Sequence, residues 1–225
     1  LDVGIHVNLT EFKPLTKSTT LISKNKNFID KTEWFNGYYN QIEKHEVEKE
    51  IEAQIVKAFS LGLKITNING HNHIHIFPNV IGVVIKLSKK YKLKCIRMPN
   101  EKIVNKYQKL SKELKKRNLL SKFSKSAKIK IVKNNLKTTD AFYGILNMHD
   151  MDFDKLSMIL KSIQNRTTEL MVHPAYVDKK GDVFHQSKQR ENEIKLLTSN
   201  KIKQLIKKRG INLVNFSQMS KIKDF

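Results

Sequence analysis

Apolar residues change their period along this chain, from every second position to every third or fourth and back, and that order constrains the fold more than any single motif. Residues 2–10 alternate strictly. Val3, Ile5, Val7 and Leu9 point one way and Gly4, His6, Asn8 and Thr10 the other, which marks a strand with an apolar back and a polar front. From Val47 to Leu61, residues Val47, Ile51, Ile55, Ala58 and Phe59 recur at helical spacing, and Gly62 supplies a stop. A strand ending in a histidine cluster follows, then a helix from about Asn79 to Tyr91 and a strand at Lys94–Met98 stopped by Pro99. The pattern predicts a further helix with Ile103, Tyr107, Leu110 and Leu114 on one face, then a strand over Asp140–Leu146 and a helix over Phe153–Gln164. A strand over Glu169–His173, one helix from Gln189 to Arg209 capped by Gly210, and a last strand over Ile211–Phe216 complete it. Strand and helix alternate about five times without hairpin signals, which argues for βαβ units, a parallel sheet and the α/β class. With 225 residues, one core and a single domain over 1–225 are expected.

The formal charge of +22 invites a nucleic-acid reading. Lysines nevertheless coat every helix, and the densest segment, 102–133, has Glu113 as its only acidic residue. That segment shows no RNP, helix-turn-helix or zinc-finger pattern, and its only aromatics are Tyr107 and Phe123, so no stacking platform is evident. A solvated lysine-rich surface is expected there, with no nucleic-acid partner. Cys95 is the single cysteine, which excludes an internal disulfide and a cysteine zinc cluster; in Lys94-Cys95-Ile96-Arg97 it is expected to be a buried packing residue. No apolar run approaches the roughly 18–20 residues that span a bilayer, so no membrane partner is expected. Leu1-Asp2-Val3-Gly4-Ile5-His6 carries neither a basic leader nor a small-residue cleavage site, and a cytoplasmic location fits. The first residue is Leu rather than Met, and the natural start is expected upstream.

The sharpest chemical feature is Gly70-His71-Asn72-His73-Ile74-His75, followed by Phe77-Pro78. In an extended chain His71, His73 and His75 share one face, and imidazoles on adjacent pleats converge readily on a divalent metal, which needs nitrogen donors about 2 Å away. Spacing alone does not say which histidine binds. His6 taken alone suits a satisfied core histidine better than a ligand. His173 ends its own strand in Met171-Val172-His173-Pro174-Ala175-Tyr176. The polar groups thus collect at the carboxyl ends of strands: the histidines after the second, Arg97 after the third, His173 after the fifth. Parallel barrels keep their chemistry at that end. His45, His149 and His185 are expected to be solvated.

Several of these stretches resemble one family. Gly4-Ile5-His6-Val7-Asn8-Leu9-Thr10, followed by Pro14-Leu15, resembles the glycine-x-histidine-x-x-leucine-threonine strand of the YdjC-like carbohydrate deacetylases. Gly70 to His75 with Pro78 is similar to that family's histidine-rich segment. Ile96-Arg97-Met98-Pro99, Ala141-Phe142-Tyr143-Gly144, Glu169-Leu170-Met171-Val172-His173-Pro174 and Arg190-Glu191 match in order and spacing. The resemblance covers nearly the whole chain. It implies a modified (β/α) barrel, TIM-like and seven-stranded, here lacking its first strand or strands. It also implies removal of acetyl groups from N-acetylated sugars such as chitooligosaccharides, with a divalent metal, usually magnesium, zinc being the alternative. In that family an aspartate near the N-terminus and two histidines hold the metal, and the histidines correspond to His6 and His71. His173 matches the histidine that acts on the leaving group, and Arg97 a residue that orients a carboxylate or substrate oxygen. The aromatics of the irregular stretch 11–45, Trp34, Phe35, Tyr38 and Tyr39, suit stacking on sugar rings and packing onto the domain edge equally.

Two departures bear on activity. The family's asparagine-alanine-aspartate-aspartate-phenylalanine-glycine strand, source of an acidic ligand, has no match in this chain. Where the family has histidine-x-aspartate before the rich segment, this chain has Asn67 and Asn69, whose amides bring no charge to a metal's surroundings. A catalytically degenerate sugar-binding barrel is therefore the second reading. An open sheet edge would also favour pairing, and hence a homo-oligomer.

Overall fold

In a computed structural model of the protein, described for residues 1–104, 113–148, 150–164, 166–181 and 184–222, every named strand pairs in parallel. The α/β expectation holds. The strands form two open sheets, one in each of two compact units. The first unit takes in the described residues of 1–98, 119–138 and 214–225, and the second those of 99–118 and 139–213.

In the first unit, β1 (Val3–Val7), β2 (Ile65–Gly70) and β3 (Cys95–Ile96) lie in that order. Between β1 and β2 the chain passes through α1 (Lys31–Phe35), a 3-10 turn over Tyr38–Gln41 and α2 (Lys44–Ser60). Between β2 and β3 it passes through a 3-10 segment over His71–Ile76 and α3 (Pro78–Lys90), which starts with proline where a missing N–H costs nothing. Val47, Ile51, Ile55 and Ala58 of α2 are buried at the expected spacing, whereas Phe59 is half open and stacks on Tyr91. Trp34 is fully buried and its indole N–H donates to the Leu9 carbonyl. Phe77 receives the rings of Trp34, Phe35 and Tyr39 edge-on at centroid distances of 5.3–5.8 Å. Those three aromatics pack around Phe77. Cys95 is fully buried, as expected.

The long stretch after β1 buries Leu21, Phe28, Ile29 and Ile42, and carboxylates pin its backbone. Glu50 accepts from the backbone N–H groups of Leu15 and Thr16 and from the Thr16 hydroxyl. Glu46 accepts from the hydroxyls of Ser18, Thr19 and Thr20 and from the backbone N–H groups of Thr19 and Thr20. Burial by itself would raise the Glu46 pKa, but these donors outweigh it and hold the carboxyl far below the usual range.

In the second unit β4 (Ala141–Tyr143) pairs with β5 (Thr168–Leu170). Their core is Ala141, Tyr143, Met151 and three residues of α5 (Phe153–Ser162), joined by Ile202. Glu101 is fully buried, and its carboxylate accepts the backbone N–H groups of Gly144, Ile145 and Leu146 at 2.9–3.0 Å. Gly144, with φ +118°, passes so close to Met171 that a Cβ would meet the Met171 carbonyl oxygen at 2.3 Å.

Two expectations differ from what is observed. The predicted helix over Gln189–Arg209 is two, α6 (Lys188–Thr198) and α7 (Asn200–Lys208). Ser199 sits extended between them, and its hydroxyl caps the second by accepting from Ile202 N–H. The predicted strand over Ile211–Phe216 is absent: Leu213 and Val214 are exposed, and Asn215 starts α8 (Phe216–Met219) through a capping box with Gln218. In the basic segment α4 (Leu114–Lys133) buries Leu120, Ser124, Ala127 and Ile131; Tyr107 and Leu110 of the expected helical face lie outside the described residues.

Glu46→Gln is expected to lose about 2–3 kcal/mol of stability at pH 7, since a buried charged acceptor loses several donors at once. Because the folded pKa is depressed, the contribution of Glu46 is complete above its unfolded value of about 4.3 and fades as pH falls below it. Urea unfolding of wild type and variant should therefore differ at pH 7 and converge towards pH 2.

Candidate functional site

β1 and β2 set the candidate site. Their register places His6 beside Asn69 and Val7 beside Gly70. Asn69 is buried, and its side-chain oxygen accepts from His6 Nδ1. Asn67 lies against Gly4, where a Cβ would come within 2.6 Å of the Asn67 amide. His6 is exposed as a residue, yet its ring nitrogens face protein. Loss of water around them pushes the imidazole below the ordinary histidine pKa; the Asn69 hydrogen bond opposes this, and the charges of His71 and Arg97 add to it. A neutral imidazole with its proton on Nδ1 leaves a lone pair on Nε2.

After Gly70 the chain does not stay extended. Asn72 and His73 take left-handed backbone conformations, with φ 50° and 63°, inside the 3-10 segment. The expectation that His71, His73 and His75 share a face fails for this reason. His71 turns to His6, with its Nδ1 3.4 Å from His6 Nε2. His75 turns inward, fully buried, and packs on Gly70, where a Cβ would meet it at 2.9 Å. Its Nε2–H donates to the Arg97 carbonyl at 2.9 Å. Burial pushes the His75 pKa down to about 3, helped by the charges of Arg97 and His6 and opposed by that hydrogen bond. His73 is buried too. The first unit thus brings together His6, His71 and Arg97 of the expected residues. Asn69 and Glu11, which the sequence alone did not single out as contacts, join them: Glu11 Oε1 lies 3.0 Å from His71 Nε2.

Two imidazole nitrogens held ~2.0–2.1 Å from one tetrahedral ion lie about 3.4 Å apart, so His6 Nε2 and His71 Nδ1 fit a shared divalent ion. The other nitrogen of His71, shut off from solvent, makes no well-angled hydrogen bond. Among the described residues no cluster of three histidine, cysteine or acidic side chains is placed to complete a ligand set.

His173 belongs to the second unit, just past β5. Its backbone N–H donates to Glu193 at 2.6 Å, its carbonyl accepts from Arg190 Nε, and its ring meets Phe184 edge-on at 5.4 Å. Glu193 is nearly fully buried and its pKa is raised by that burial, against the His173 N–H and the Arg190 charge. Glu191 accepts from Val177 N–H, so the first turns of α6 fix the segment after the strand. The Arg190-Glu191 pair was legible in the sequence; Glu193, one helical turn on, was not. His149 lies outside the described residues.

The profile of the YdjC-like protein family matches residues 1–208. The chain belongs to this family. A protein named carbohydrate deacetylase, from Thermoanaerobacter pseudethanolicus, is 32% identical over 222 residues, spanning 96% of this chain and 77% of that protein. A chitooligosaccharide deacetylase of Yersinia enterocolitica is 26% identical, over 96% of this chain and 78% of its own. The crystal structure of an Enterococcus faecalis protein named for cellobiose-phosphate cleavage shares the fold, with a TM-score of 0.70 at 21% identity over 97% of this chain and 78% of that one. No helix among the described residues is long and apolar enough to cross a membrane.

The neutral burial of His75 has a consequence in acid. A histidine with a depressed folded pKa costs stability as pH falls from its unfolded value of 6.5 towards about 3, because the unfolded chain takes the proton first. Wild type should lose about 1.4 kcal/mol per pH unit across that window in excess of His75→Gln. Urea unfolding at half-unit pH steps checks it; parallel slopes for the two proteins would contradict the assignment.

Proposed function

We propose that the protein is a metal-dependent hydrolase that removes acetyl groups from N-acetylated sugars, chitooligosaccharides among them. The observation that carries this reading is the convergence of His6 Nε2 and His71 Nδ1 at 3.4 Å, with the far nitrogen of His6 engaged by Asn69. The names of the relatives, carbohydrate deacetylase and chitooligosaccharide deacetylase, support the deacetylase part of it. The modified (β/α) barrel belongs to the same proposal, supported by all-parallel pairing and by the fold shared with the Enterococcus faecalis protein.

His6 and His71 would hold the ion, magnesium in the first instance and zinc as the alternative. When bound, it supplies Lewis-acid polarisation of the acetyl carbonyl and makes water a stronger acid. Asn69 keeps the His6 proton on Nδ1 and so keeps Nε2 available. Arg97, whose backbone is tied to Ile68 and His75, would orient a substrate oxygen through its guanidinium. His173 would protonate the departing sugar amine, a contribution of about 10²–10⁴-fold in rate. Its backbone, held at both N–H and C=O by α6, suits a group that must keep one position.

The second reading, a sugar binder without catalysis, draws on Asn67 and Asn69 and on the lack of a three-residue ligand cluster among the described residues.

Acetate release from N-acetylglucosamine oligosaccharides, with magnesium or zinc and the full-length gene product, separates the two. The enzyme reading expects turnover abolished by His6→Ala and by His71→Ala along with ion binding. His173→Ala should slow turnover by at least 100-fold while ion affinity stays within about 2-fold. Oligosaccharide binding without acetate release under either metal would leave the binder.

A further inference from the structure

Each imidazole of the pair has a second ring nitrogen, and what holds that nitrogen decides which one is left to bind. For His6 the answer is Asn69, a neutral amide. For His71 the neighbour is a carboxylate: Glu11 Oε1 stands 3.0 Å from Nε2, on the side of the ring opposite His6. Nε2 is buried with no hydrogen-bond partner in good geometry, and the Glu11 carboxylate is the charged group that stands beside it.

Glu11 is not a loose surface group. The Asn8 side chain closes a turn around it, accepting the N–H groups of Thr10 and Glu11 at 3.1 and 3.2 Å and donating to the Glu11 carbonyl at 2.8 Å. Asn8 is itself clamped through both backbone groups by Gln54 of α2. Asn72, the residue after His71, donates to the Thr10 hydroxyl at 3.3 Å, which ties the two chain segments together. The carboxylate is therefore delivered to His71 by a built turn.

The geometry points to Glu11 as the positioning residue of the ion site: it takes the Nε2–H of His71, leaves Nδ1 for the ion, and brings the negative charge that Asn69 lacks. Metal-bound histidines commonly donate their second N–H to a carboxylate, and losing that partner typically costs 10–100-fold in affinity. In this chain the asparagine beside His6 leaves that duty to a residue on the neighbouring turn. The inference rests on the ion-binding role proposed for His6 and His71.

Calorimetric titration with zinc alone, on the full-length protein, tests it with Glu11→Ala and Glu11→Gln. The alanine variant should bind zinc about 10–100-fold more weakly, and the glutamine variant, which keeps an acceptor but no charge, should fall between it and wild type. Long-range ¹H–¹⁵N spectra of the zinc-loaded wild type should show His71 protonated on Nε2, and that signal should shift in both variants. A merely structural role for Glu11 would leave those ring shifts in place. Wild-type affinity in Glu11→Ala, or a His71 proton found on Nδ1, overturns the inference and leaves the ion site standing. Zinc binding that is absent from wild type, or undiminished in His6→Ala, defeats the ion site itself and the role of Glu11 with it.

Discussion

β1 lies on β2 in parallel, with His6 beside Asn69 and Val7 beside Gly70, and the candidate site inherits its geometry from that register. A slip by one residue would turn every side chain of β1 to the opposite face and carry His6 away from both Asn69 and His71. The register is held from both sides of the strand. Val7 and Leu9 are buried behind it, while Asn67 fills the space that Gly4 leaves empty in front. At the end of β2, Gly70 gives His75 room to fold back, and the two left-handed residues that follow turn His71 towards β1. Left-handed backbone at a residue as bulky as His73 costs about 1 kcal/mol or more, and such conformations cluster where side chains must be aimed.

Acidic side chains do much of the work of shaping loops in this strongly basic chain. Glu46 and Glu50 gather the threonines and serines after β1, Glu101 gathers the turn after β4, and Glu193 holds the backbone of His173. All four are buried. Each stands in for the regular ladder that irregular backbone lacks, by supplying acceptors to N–H groups that would otherwise be buried without partners. Their small number against the many lysines does not make them surface charges. They are internal fastenings.

Much of this architecture was legible in the order of the residues. Strong period changes gave α2 and α3 within a few residues, since Val47, Ile51, Ile55 and Ala58 share one face only on a helix. His6, His71 and Arg97 were found through family motifs, and the fold brings them together. What stayed hidden depended on local competition or on distant partners. Ser199 reads as one polar residue in a helical run, but its hydroxyl ends one helix and starts the next. Leu213 and Val214 have the composition of a strand without a partner to pair with. The histidine run looked extended because alternation was the guide, although Asn72 and His73 are of the residue types that tolerate left-handed backbone. Asn69 looked like a loss beside the family's aspartate, and its bond to His6 needed coordinates to be seen. Glu11 looked like the first residue of a loop.

Glu101 carries a consequence beyond its part in shaping the turn after β4. Three consecutive amide N–H groups converging on one acceptor form the kind of concavity that elsewhere captures phosphate or other free oxyanions. Here the chain supplies its own oxyanion from forty-odd positions upstream, on a backbone whose carbonyl is gripped by Arg117. The cradle is occupied from within. This turn is closed to a phosphorylated ligand for as long as the protein is folded.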